Sequence, residues 1–575
     1  MIQTFKRSVF FYATVIMELK TFVKNLKVCQ KWYMMWKDNK KGKRKLERSF
    51  FKYIFVIVVI AIVAYTGYKI IKDDGNKEEN NLDQTSTVST IQKDLRLAIA
   101  EMDTINPIIS QNRNVQEVTK IIFEPLVTLN ENYKKEYKLA TEIAKQDDTN
   151  YLIKLRQGVL WHDGTEFKAN DVKFTVDNIK NGDNNSIYSE NLRYLTTLEV
   201  IDDYTIKMTL SQEVPFFEYY LTFPILSQKY YEGTDIKNTD KNIAPIGTGL
   251  YKIASVNANV ITLNKNTSYW NKEVSPMAEE VIITNYQTMG EVYNSFKSGD
   301  IDAITVTANN IEDYIGTIGY NKIEYKSRNY DFLAFNVNSE IFSDKSVRQA
   351  ISKCIDKENL IATCLGNGYT VSNFSLDMGN WLYTKDLNVQ NNTDEAKSIL
   401  EADGWSYKNN VWQKKEDGQT KNLKFTLTVK KDDESRVKVA NYIAEQLRNF
   451  GINVDIKEVS SENYYNALSN KDYECILTGI VSGYTPNLET FFGDGNIANY
   501  NNDEVKNILN IVKNTQDEME MYNQYSKLFD IYLDDVPYMG LYRNTEFIIC
   551  NQGLVGNITP NKFNIYHNIE KWYRQ

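Results

Sequence analysis

Between Leu423 and Lys457 the spacing of apolar residues changes period twice, and this limits the folds open to the chain more than any other feature. Leu423, Phe425, Leu427 and Val429 alternate with polar residues, as on a half-buried strand. Val439, Ile443, Leu447 and Phe450 then recur at helical spacing. Gly451 stands where a helix needs a left-handed stop, and Ile452, Val454 and Ile456 alternate again. The tract reads as a strand, a helix and a second strand joined by a right-handed crossover. Strand-like and helix-like segments alternate in the same way from about residue 94 to the end, without an internal repeat, so the fold class is mixed α/β. With 575 residues the chain exceeds what one hydrophobic core supports, and two or three lobes are expected.

The N-terminal segment has a different character. Lys37, Lys40, Lys41, Lys43, Arg44, Lys45 and Arg48 precede an apolar run from Tyr53 to about Ile71, and Asp73, Asp74, Glu78 and Glu79 follow it. About 18 residues at a rise of roughly 1.5 Å span the hydrocarbon layer of a bilayer. The charge asymmetry places the N-terminus in the cytoplasm and nearly everything after Lys72 outside the cell. The expectation is a cytoplasmic basic segment over 1–52, a transmembrane anchor over 53–71 and a flexible polar linker over 72–93. A cleaved signal peptide is the alternative, although the run is long for one and no small-residue cleavage pattern follows it. No lipid-acceptor cysteine follows the run either, and Met35 offers a second start.

Composition excludes several activities. A net charge of -8 disfavours nucleic acid as a partner, because phosphate-backbone affinity needs uncompensated basic clusters. His162 and His567 are the only histidines, which leaves little for a histidine-based triad or a zinc centre; neither catalysis, a metal nor a cofactor is expected. Cys29, Cys354, Cys364, Cys475 and Cys550 show no paired-ligand spacing and read as free buried thiols, a Cys354 to Cys364 bridge being the minor alternative.

Six tracts, in one order, carry a resemblance. Leu152 to Phe167, with Trp161-His-Asp-Gly-Thr165 at its turn, runs into the helical stripe of Val172, Val176 and Ile179. Lys168 stands where a threonine cap is usual. Asp202 to Leu210 reads as a turn into a strand, and Pro245-Ile-Gly247-Thr-Gly249-Leu-Tyr251 as a sharp chain turn near a hinge. Asn264 to Trp270, Phe296 to Asp302, and Phe332 to Asn336 with Ser346 to Glu358 complete the set. Together they resemble the family 5 extracellular solute-binding proteins of ABC importers, which carry oligopeptides, dipeptides or nickel.

The resemblance implies a three-lobed, periplasmic-binding-protein-like clamshell (type II, cluster C), preceded here by the one transmembrane helix. By that analogy lobe I comprises 94–137, 243–329 and 535–575, lobe II 138–242 and lobe III 330–534. The implied function is capture of oligopeptides or dipeptides in a cleft between lobes and delivery to separate permease and ATPase subunits. In peptide-binding members of the family, a lobe III loop supplies an aspartate for the ligand's amino terminus. Here the loop is Ile480-Val-Ser482-Gly483-Tyr484-Thr-Pro486, with glycine at the aspartate's place. Ser482, Gly483 and Tyr484 are the first candidate ligand contacts; Asn499, Tyr500, Tyr542 and Arg543 match segments near the family's cleft. A peptide held by its backbone, a peptide held by another carboxylate such as Glu489, and a non-peptide solute all remain open. A surface receptor that senses peptides without transport, or an adhesive protein without cleft closure, are the rival functions.

Overall fold

The computed structural model describes residues 94–575. The basic segment, the anchor, the linker and Cys29 all lie outside the described residues. Among those described, no helix is long and apolar enough to cross a membrane.

Two four-stranded sheets form the first half. In one, Asp94–Ala100 runs parallel to Glu280–Tyr286, and Val260–Lys265 and Tyr251–Asn257 follow antiparallel. In the other, Ala140–Lys145, Asn150–Leu155, Thr205–Leu210 and Leu195–Asp202 lie side by side, all antiparallel. Leu95, Leu97 and Ile99 of the first sheet and Ile153, Ile206 and Met208 of the second bury into one continuous core. The segments assigned to lobes I and II are thus joined through shared apolar packing.

The tracts singled out by sequence meet within this core. After Asn150–Leu155 the chain turns through Trp161 to Gly164 and enters the helix Ala169–Lys180. Lys168 lacks the hydroxyl of a usual cap, but its backbone N–H donates to Asp171 Oδ2 at 2.8 Å, so the carboxylate of the third helical residue satisfies the N–H at the helix start. Asp171 also accepts from Trp161 Nε1 and from the backbone of Gln228, which ties the helix start to its surroundings. The chain bends at Thr248 to Leu250, and Gly247 and Gly249 also serve close approach: a Cβ on Gly247 would lie 1.9 Å from the Ile122 carbonyl oxygen, and one on Gly249 2.7 Å from that of Ile121.

The second half is organised by a mixed sheet in the order Ala303–Val306, Tyr538–Asn551, Tyr320–Phe335, Cys475–Val481, Lys424–Lys430, Asn453–Val459, with Tyr369–Val371 added to the Tyr538–Asn551 strand. The strand–helix–strand unit is present: Lys424–Lys430 pairs in parallel with Asn453–Val459 across the helix Glu434–Phe450. Val439, Ile443 and Leu447 are fully buried, and Gly451 ends the helix in the left-handed region at φ 97°. Cys354, Cys364, Cys475 and Cys550 are buried and free. The other face of the sheet carries an aromatic cluster in which Phe332, Phe374, Phe491, Phe492, Tyr532 and Tyr538 pack at 4.6 to 6.4 Å between ring centres. Much of the tyrosine content is core of this kind.

Tyr320–Phe335 and Tyr538–Asn551 are the longest strands, and they pass from one core to the other. Tyr325, Ile548 and Cys550 belong to the core of the first half; Leu333, Phe335, Met539 and Leu541 belong to that of the second. Between the two cores the ladder is broken: Lys326 opposes Thr545 but Tyr330 opposes Arg543, so one strand holds two extra residues. Such a bulge bends the strand and re-aims its side chains. Of its residues, Arg328 lines the principal cleft.

Candidate functional site

A cleft of about 600 Å³ lies between the two halves. Tyr133, the segment Ile187 to Arg193, Tyr219 and Tyr220 line one side; Arg328, Ser375 to Asp377, Asn380 and the loop Ile480 to Thr485 line the other. Lys562 and Phe563, from a tight turn near the C-terminus, close one end. Clefts of this size between lobes are the usual place for a small ligand.

The loop is an extension of the strand Cys475–Val481. The last ladder pair is Asn329 with Val481. The bulge then takes over: the Ser482 N–H donates to the Arg328 carbonyl at 2.7 Å, and Arg328 Nε donates to the Ser482 carbonyl at 2.7 Å. Ser482 Oγ accepts from Arg543 Nη1 at 3.0 Å. Beyond this clamp the chain leaves the sheet, and among the described residues the backbone N–H groups of Gly483, Tyr484 and Thr485 have no acceptor. The Tyr484 ring stacks on Phe563 at 4.7 Å, with the Arg328 guanidinium 5.0 Å from its centre. This stacked pair also borders a smaller cavity of about 260 Å³ behind it.

Ser482, Gly483 and Tyr484 therefore all stand in the cleft wall, whereas the other four sequence candidates lie elsewhere. Tyr500 is buried, with its hydroxyl donating to Asp535 Oδ2 at 2.5 Å. Asn499 donates through its side chain to Asn336 Oδ1. Tyr542 packs edge-on against Tyr369 in the core. Arg543 is buried one layer behind the wall, donating to Ser372 Oγ, Ser482 Oγ and the Ser375 carbonyl, with Tyr330 under its guanidinium. Glu489 is exposed, outside the cleft lining, and accepts from Asn487 at 3.3 Å.

Sequence reasoning missed the charged residues that do line the cleft. Lys562 is held by an Asn561 turn, in which Oδ1 of Asn561 accepts from the N–H groups of Phe563 and Asn564. Its ammonium lies 3.8 Å from Asp377 Oδ2 and 4.4 Å from the centre of the Tyr133 ring. Burial lowers the Lys562 pKa to about 8, against the attraction of Asp377. Asp377 Oδ1 accepts from the Gly379 N–H, but Oδ2 is buried without a hydrogen bond. Nothing in the local pattern around Arg328, Asp377 or Lys562 marks them; tertiary folding alone brings positions so far apart in the chain together. No cluster of three or more His, Cys, Asp or Glu residues able to hold a metal occurs among the described residues.

Comparison with known proteins agrees with this architecture. Residues 135–499, well over half of the chain, match the sequence profile of the bacterial extracellular solute-binding proteins, family 5, middle region. The oligopeptide-binding protein AppA of Bacillus subtilis (strain 168) is 24% identical over 498 residues, covering 83% of this chain and 90% of its own length. The nickel-binding protein NikA of Staphylococcus aureus (strain NCTC 8325 / PS 47) is 24% identical over 448 residues, covering 76% of this chain and 86% of its own. Among solved structures, the periplasmic murein tripeptide binding protein MppA in its unliganded open form superposes with a TM-score of 0.72 at 19% identity, over 84% of this chain and 97% of that one.

Proposed function

Because the chain belongs to the bacterial extracellular solute-binding proteins of family 5, we propose that it captures short peptides in the cleft between its halves and delivers them to the permease of an ABC importer. The observation that carries the peptide reading is the loop Gly483 to Thr485, which follows the strand end at Val481, lines the cleft and has backbone N–H groups without an acceptor among the described residues. An extended peptide offers carbonyls to such free donors, and main-chain pairing tolerates varied side chains. Ser482 and Tyr484 shape this loop, Ser482 by fixing it to Arg328 and Arg543, Tyr484 by closing the end of the cleft with Phe563. The names of relatives, oligopeptide-binding AppA and nickel-binding NikA, frame the two ligand classes to be separated. The apolar run at 53–71 supports tethering to the outer face of the membrane, with ATP hydrolysis supplied by separate subunits.

Thermal unfolding of the chain against pools of short peptides, with free amino acids, sugars and a nickel–histidine chelate as controls, tests the reading. A ligand at a hundredfold excess over its Kd adds about 2.7 kcal/mol to the native state. Peptides are expected to raise the midpoint while the controls leave it in place. A shift with the nickel chelate alone would overturn the peptide assignment and leave the family intact.

A further inference from the structure

The most exposed large apolar side chain among the described residues stands outside the cleft lining. Ile318 is 94% exposed and Ile315 41%, both on the turn that joins Tyr314 to Tyr320. Gly316 and Gly319 shape this turn at φ 71° and 106°, and a Cβ on either would meet nothing within 4 Å, so the turn stands clear of the body. Its base is fixed, because the Phe296 ring packs on those of Tyr314 and Tyr320 at 6.1 and 5.0 Å. No residue from Tyr314 to Asn321 is charged.

A single exposed isoleucine is ordinary; the place of this one is not. The chain that leads back to the apolar run at 53–71 leaves the body at the same end, from Asp94 at the start of the first strand. The Arg96 carbonyl accepts from the Asp302 N–H, the Asp302 carbonyl from the Asn551 N–H, and the Gly319 carbonyl from the Gln552 N–H. Three such backbone pairings, each about 4.8 Å across, separate the exit from the turn by roughly 15 Å. Residues 72–93 span at most roughly 75 Å between Asp94 and the apolar run, which keeps this end of the body near the surface that holds the run.

We propose that the turn at 315–319 dips into the outer leaflet of the membrane, so that this end of the body rests on lipid. The proposal rests on the tethering reading above, and it names a lipid surface because the tether places a bilayer, and no particular protein, beside this end. Two isoleucines are too little apolar area to hold a free protein on a bilayer, but the tether makes the contact intramolecular. Glu312 and Asp313 precede the turn and Lys322 follows it, so no sign of charge dominates and the contact needs no anionic lipid. Resting on lipid limits rotation of the body about its tether and presents the cleft at a constant angle to the membrane.

The test uses the full chain in phosphatidylcholine vesicles, with Cys29→Ser and a fluorescent label on Thr317→Cys; Cys354, Cys364, Cys475 and Cys550 are buried. A control chain carries the label on Tyr465→Cys, an exposed position in the helix Ser461–Asn470. Flotation reads tethering, and lipids with a nitroxide on the acyl chain read insertion. Quenching at 317 is expected to exceed that at 465 at least threefold, with or without phosphatidylglycerol. Ile315→Ser together with Ile318→Ser, both at exposed positions, should bring it down to the level at 465 without changing flotation. Equal quenching at 317 and 465 in chains that float would overturn the inference and leave the tethering reading standing. Quenching at 317 that survives both serine substitutions would overturn it too, since nearness and not insertion would then be the cause. A chain that does not float removes the tethering reading and this inference with it.

Discussion

Gly483 occupies its place without any backbone reason to be glycine. Its φ lies outside the left-handed region, and a Cβ would find Thr485 at 3.9 Å, an ordinary contact. Gly483→Asp should therefore fold normally and put a carboxylate in the cleft wall. A buried charge-assisted pair with a ligand ammonium is worth about 1.5–3 kcal/mol, so the variant should prefer peptides with free over acetylated amino termini by about tenfold or more. Calorimetric titration of the acetylated and free pair checks this; no gain in preference would mean that position 483 does not face the ligand's amino end. Tyr542 and Arg543 show the opposite situation. Both lie in a segment expected near the cleft, yet Tyr542 is core and Arg543 acts on the wall only through Ser482 and Ser375. Alternation along a strand tells which face a residue takes, not whether that face meets a cavity or a second layer.

The element that joins the two halves of the sequence signature is the turn at His162. Its backbone N–H donates to the Gly247 carbonyl, its Nδ1 accepts from the Gly247 N–H at 3.1 Å, and Nε2 contacts the Gly249 carbonyl at 3.2 Å. This arrangement requires a neutral imidazole protonated on Nε2, and burial accordingly lowers the pKa to about 4. The unfolded chain takes up this proton near pH 6.5 and the native state only near 4, so stability is lost as pH falls across that interval. Denaturant unfolding from pH 7 to 4.5 should show a decline that His162→Gln reduces by roughly 2 kcal/mol; an identical pH profile in the variant would remove His162 from the account. The strand–helix–strand unit and this turn were legible because their information is local: period, cap and turn residues lie within a few positions of one another. The two-residue bulge at Ser327 to Asn329 was not, since it exists only as a mismatch between Tyr320–Phe335 and a strand more than two hundred residues later. The cleft inherits that opacity, because Tyr133, Arg328, Asp377 and Lys562 meet only when both halves are assembled. The Ser482 to Tyr484 loop could be found since its order relative to the other tracts carries over from relatives.

At the scale of the molecule, the account depends on the two long strands that cross between cores. They run from one core into the other, and the broken ladder at the bulge leaves fewer backbone pairs to resist bending there. Hinge closure around a bound solute is the motion such a connection permits. It would bring Tyr188 and Tyr220 of one wall against the loop of the other, excluding water from the charges near Lys562. A surface adhesin built on the same sheets would have no need to close. Small-angle X-ray scattering of the chain, with and without a saturating peptide identified by thermal shift, reads this most directly. Closure predicts a smaller radius of gyration and a shorter maximum dimension in the presence of peptide; unchanged scattering at proven saturation would contradict capture by the cleft.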